Sequence, residues 1–96
     1  MRGYYLVCYD ISDEKRLAKM HKKLLGFGDP LQYSVFVCLL SKMEKLLMLE
    51  KLMEILDEEE DRLLLIYLGP ENKKTLKNFE LYGIKNPIVQ RKCKIV

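Results

Sequence analysis

Hydrophobic and polar positions repeat along this chain with two different periods, and the switches between them mark its elements. Residues 3–10 are almost wholly apolar or aromatic and end abruptly in Asp10, the pattern of a buried strand. Ser12 or Asp13 then caps a helix running to about residue 26. Leu17, Met20, Leu24 and Leu25 fall on one face of it, and Lys15, Arg16, Lys19, Lys22 and Lys23 lie mostly on the others. Gly26, Gly28 and Pro30 stop it. Residues 31–40 read as strand, either one long strand or a kinked pair. On that reading Gln32, Ser34 and Phe36 share one face, and Tyr33, Val35 and Val37 the other.

Ser41 and Glu44 have the spacing of a capping box and open a second helix. Leu46, Leu49, Met53 and Leu56 give its expected core stripe. Leu47, Met48, Leu52 and Ile55 widen that stripe beyond what one sheet face needs. Residues 62–68 form another strand, ended by Gly69-Pro70. A short helical turn is expected around 72–79, a turn at Tyr82-Gly83, and a last strand over 88–96.

The order β-α-β(β)-α-β with an extra strand predicts an α+β, ferredoxin-like sandwich, with both helices on one face of an antiparallel sheet. One domain spans residues 1–96, with a core of about 1–79 and a C-terminal extension of about 80–96. The first strand and residues 62–68 are too apolar on both faces to leave one bare. A second copy of the chain is the simplest cover.

Ninety-six residues at 49% hydrophobic support one small core. The net charge of +3 is not diagnostic, but its distribution is uneven. Residues 54–61 hold six acids and no base, whereas residues 72–96 hold seven bases against one acid. A basic C-terminal quarter suits a nucleic-acid contact, and equally a solvated lysine surface. The acidic run reads as a solvated helix end or a partner contact. Cys8, Cys38 and Cys93 form no C-x-x-C pair, so reduced thiols in a cytoplasmic protein are expected rather than a disulfide or zinc site. No signal peptide is read, and no apolar run is long enough to span a bilayer.

Asp10 is the leading candidate for chemistry. A carboxylate at the mouth of a central strand, beside a helix start, is held rigidly; it can hold a hard cation or cap the local backbone. His21, among lysines on the first helix, reads as a surface residue with no partner that would make it a base.

The motifs Tyr-Asp-Ile-Ser-Asp-x-x-Arg (9–16), Gly-Phe-Gly (26–28), Gln-Tyr-Ser-Val-Phe (32–36) and Asp-Arg-Leu-Leu-Leu-Ile-Tyr (61–67), in this order, resemble the CRISPR-associated Cas-two family. The similarity covers nearly the whole chain. It implies a symmetric homodimer whose C-terminal strand, around Val89 to Ile95, packs on the partner subunit. It also implies assembly with the larger CRISPR integrase subunit in spacer acquisition, on duplex DNA. Some members are metal-dependent endonucleases acting on RNA or duplex DNA, with Mg2+ or Mn2+ as the ion. Carried over to this chain, Asp10 becomes metal ligand and catalytic residue, facing its two-fold copy. Arg16, Lys15, Lys19 and Ser34 become contacts to nucleic-acid phosphates, while Tyr9 and Phe36 join the dimer seam or the cleft. Two departures weaken substrate contact: Leu31 stands where many relatives carry a base, and Val37 where many carry an acid. A toxin-like endoribonuclease of the same fold and a non-enzymatic ligand-binding regulatory domain stay open as alternatives.

Overall fold

The computed structural model describes residues 1–80 and Tyr82. The expected strand around Val89 to Ile95 lies outside the described residues. Elements follow in the order β1 (Gly3–Asp10), α1 (Glu14–Leu24), β2 (Gly28–Gln32), β3 (Val35–Leu40), α2 (Lys42–Met53), β4 (Arg62–Pro70) and α3 (Lys73–Lys77). The four strands make one antiparallel sheet in the order β2-β3-β1-β4. That order, with α1 and α2 as the connections, is ferredoxin-like.

Local chemistry sets the helix starts. Asp13 caps α1 by accepting the backbone N–H of Arg16 at 2.9 Å. Ser41 and Glu44 form the reciprocal capping box on α2. Glu44 also takes Arg2 bidentately at 2.8 and 2.9 Å, which fastens the start of β1 to α2. That arginine, with the Ser41 backbone N–H, pulls the Glu44 carboxyl down to about 2.

The alternation along β1 sorts the two faces. Tyr5, Val7 and Tyr9 point at the helices and form the core with Met20, Leu24, Phe36, Cys38, Met48 and Leu52. Desolvation in this core pushes the Cys38 thiol up to about 12, so it is an inert hydrophobe. The opposite face is covered in part: Tyr4 and Val37 are buried with Leu68, Leu76 and Phe79 packed over them. Toward the Asp10 end the cover stops. There Leu64 is 55% exposed and Ile66 40%.

Three expectations need correction. Residues 31–40 are not one strand. The chain reverses at Tyr33-Ser34, and β2 pairs antiparallel with β3 through Gln32↔Val35, Pro30↔Phe36 and Gly28↔Cys38. Gly28 and Pro30 therefore belong to a strand rather than stopping a helix. Pro30 is tolerated because β2 is the sheet edge. Gly28 is required because a Cβ there would strike the Val37 carbonyl and the Cys38 side chain. Next, the α2 stripe is rotated from its expected place. Met48 and Leu52 are fully buried, while Leu46, Leu47 and Met53 face outward. Last, α2 ends at Met53, so most of the acidic run 54–61 forms the turn into β4 rather than a helix end.

Candidate nucleic-acid interface

The site is built where β1 ends. Tyr9 and Asp10 are successive residues, so their side chains leave opposite faces of the sheet. Asp10 stands on the face opposite α1 and α2, exposed, directly across from Arg62 of β4. Its carboxylate has no hydrogen bond or ion pair to another described residue. No group of three or more His, Cys, Asp or Glu residues that would hold a metal occurs among the described residues. The described residues thus supply one carboxylate here, with no ion pair among them. This fits a hard, water-retaining ion such as magnesium only where a second carboxylate or a phosphate completes the site.

Arg16 is engaged within the chain. Its Nε donates to Asp61 Oδ2 at 2.9 Å and its Nη2 to Asp61 Oδ1 at 3.2 Å, with Glu60 at 3.4 Å. The expected bidentate grip on an outside phosphate is already taken up by Asp61. That carboxylate also accepts the backbone N–H groups of Ser12 at 3.3 Å and Asp57 at 3.0 Å. These donors, Arg16 first, hold the Asp61 carboxyl down to about 2. Asp61 and Arg62 open the 61–67 motif, but the sequence assigns neither a role: the contact of Asp61 with Arg16 crosses 45 residues, and the place of Arg62 opposite Asp10 depends on the β1–β4 register.

Ser34 sits in the β2–β3 turn rather than on a strand, and its carbonyl accepts the Tyr9 N–H at 3.1 Å. Phe36 is fully buried beneath the helices and is corrected from seam or cleft to core. Tyr9 likewise points into its own chain. Its hydroxyl lies 3.4 Å from His21 Nδ1 and donates to the Tyr33 carbonyl at 3.4 Å. Burial raises the Tyr9 phenol above its usual value. His21 is not a plain surface residue, since its ring packs edge-on against Phe36 at 5.3 Å. Tyr9, His21, Leu17, Ala18, Glu14 and Tyr33 surround an open hollow of about 500 Å³.

Lys15 and Lys19 are exposed on α1, as expected. Lys19 joins Lys22, Lys23 and Lys51 around a groove of about 780 Å³ between the two long helices, floored by Phe27 and Ile55. Four ammonium groups against Glu54 make this a positive channel. No helix among the described residues is long and apolar enough to cross a membrane.

The family model described as CRISPR associated protein Cas2 matches residues 1–76. The chain is 42% identical over 72 residues to a protein of Thermodesulfovibrio yellowstonii named CRISPR-associated endoribonuclease Cas2 2, covering 75% of this chain and 78% of that one. The crystal structure of Streptococcus pyogenes Cas2 at pH 6.5 superimposes with a TM-score of 0.72 at 29% identity, covering 83% of this chain and 99% of that one. A chain of a partial Cas6-RT-Cas1–Cas2 complex gives a TM-score of 0.64 at 28% identity, covering 83% of each. The ordered motifs, the sheet order and these matches agree, and the chain belongs to the CRISPR-associated Cas2 family.

Proposed function

We propose that this protein acts in CRISPR spacer acquisition as a cytoplasmic homodimer that bridges the larger integrase subunits and holds duplex DNA through phosphate contacts. The observation carrying this reading is the bare apolar end of the sheet, where exposed Asp10 shares a face with the exposed Leu64 and Ile66. Closing two such faces on a two-fold axis buries the apolar patch and brings the two Asp10 carboxylates toward each other. The occurrence of a related chain in a complex named with Cas1 supports an integrase partner. Lys15, Lys19 and the lysines between α1 and α2 supply a sequence-independent, salt-sensitive grip on a phosphate backbone.

A second reading is a metal-dependent endonuclease at the same seam, favoured by the endoribonuclease name of the relative. Asp10 and its two-fold copy would hold Mg2+ or Mn2+. Such an ion supplies an activated water and neutralises phosphate charge. Within the chain, Arg62 stands across the strand pair from Asp10. Among the described residues no side chain at this end has the placement of a general base.

The test compares wild type with Asp10→Ala on RNA and on duplex DNA, with magnesium and with a chelator. Light scattering checks the dimer in each case. The nuclease reading expects cutting that is lost in the variant and on chelation, with the dimer intact. The architectural reading expects no cutting by either protein and equal, salt-sensitive duplex binding. Cutting that persists in Asp10→Ala would remove Asp10 from the chemistry.

A further inference from the structure

We propose that the hollow between α1 and the β2–β3 turn is a subsite for one unpaired nucleobase, with preference for guanine. The proposal rests on the reading of the protein as a nucleic-acid binder and adds the kind of strand that this end of the molecule accepts.

The hollow has the parts that base recognition requires. Tyr33 stands at the hairpin tip, 81% exposed, and lines the hollow with an aromatic side chain. The floor is the Tyr9 hydroxyl beside His21, whose ring is fixed by Phe36. Glu14, Ala18 and His21 follow the helical spacing, so they share one side of α1, and the small Ala18 leaves the space between the other two open. Unpaired bases are held by stacking on aromatic rings together with hydrogen bonds to their edges.

Glu14 decides against a phosphate in this hollow. A carboxylate repels phosphate, yet it accepts the two adjacent N–H donors on the Watson–Crick edge of guanine. Uracil offers one such donor there. Phosphates on either side of the base would meet Lys15 and Lys22, which follow Glu14 and His21 in sequence and are exposed. A base inside a duplex is stacked and paired, so it cannot enter; the hollow selects single-stranded segments or extruded nucleotides.

The experiment uses the full chain in EDTA, where metal-dependent cutting cannot occur. The probe is a single-stranded octamer carrying 6-methylisoxanthopterin, a fluorescent guanine analogue that keeps both Watson–Crick N–H donors and is quenched on stacking. Wild type is expected to quench it. Tyr33→Leu should abolish the quench and weaken binding about tenfold, the order expected for one stacked base. Glu14→Gln should keep the quench and erase the preference of a guanine octamer over a uracil octamer in competition. Because Tyr33 is largely exposed, its replacement leaves the fold intact, which circular dichroism checks. An unchanged quench in Tyr33→Leu, or equal quenching by the same probe in a duplex, overturns the subsite. Binding of neither single strand nor duplex overturns the nucleic-acid reading with it. Failure to cut with magnesium while the quench persists removes the nuclease reading and leaves the hollow standing.

Discussion

The buried carboxylate of Asp61 ties three stretches together: Arg16 of α1, the Ser12 backbone after β1, and the Asp57 backbone in the turn before β4. It fixes the direction in which the chain leaves β1, and so the frame that carries Asp10. Its ionised form is favoured in the fold, with a value near 2 against about 4 in an unfolded chain. The stabilisation is complete above the unfolded value and is lost as pH falls from about 4 through about 2. Thermal melts between pH 7 and pH 2 should therefore show wild type losing Tm more steeply below pH 4 than Asp61→Asn. The gap between the two should be widest near neutrality, where the variant leaves Arg16 with only the exposed Glu60 as charge partner. Glu44 titrates over the same window but is common to both proteins, so it does not alter the difference. Parallel curves would mean that folding does not lower the Asp61 pKa.

At the scale of elements, each face of a helix or strand is set by what it packs on, and here residue type alone was ambiguous. Helix α2 carries apolar residues nearly all round, so periodicity gave no unique stripe, and only contact with the sheet selects Met48 and Leu52. Truncating Leu52 to Ala should cost about 2–5 kcal/mol. Leu46→Ala, on the outward side, should stay within about 0.5 kcal/mol. Urea denaturation of the two variants reads this contrast directly, and equal losses would restore the stripe expected from sequence. The strand β1, the Asp13 cap and the Ser41–Glu44 box were legible because each depends on neighbours within a few residues. The β2–β3 hairpin was not, because Tyr33-Ser34 is no turn dipeptide of the Asn-Gly kind and the flanking residues alternate straight through it. That one miss also displaced Ser34 and hid the hollow. The Arg16–Asp61 and Tyr9–His21 contacts cross 45 and 12 residues, beyond any local pattern.

For the whole molecule the deciding quantity is the apolar surface left at one end of the sheet. Val35, Leu6 and Cys8 are partly exposed there beside the more open Leu64 and Ile66. The cover made by Leu68, Leu76 and Phe79 lies over Tyr4 and Val37, toward the other end of β1. A chain of this size gains by closing the patch on a second copy, and each side chain moved from water contributes roughly 25 cal/mol per Å² of apolar area. Placing a charge in that seam puts two charges near each other across the axis, since every seam residue is present twice. Ile66→Glu should therefore shift the protein from dimer to monomer at micromolar concentration, read by size exclusion with light scattering. Lys19→Glu, on the helix side, should leave the dimer unchanged and weaken duplex binding. The Cys8 thiol gives an independent check on a Cys93→Ser background, with Cys38 buried and inert. Alkylation of Cys8 should slow as protein concentration rises, and Ile66→Glu should remove that dependence. An Ile66→Glu protein that stays dimeric would place the seam elsewhere, and with it would fall the argument that two Asp10 carboxylates meet across the axis.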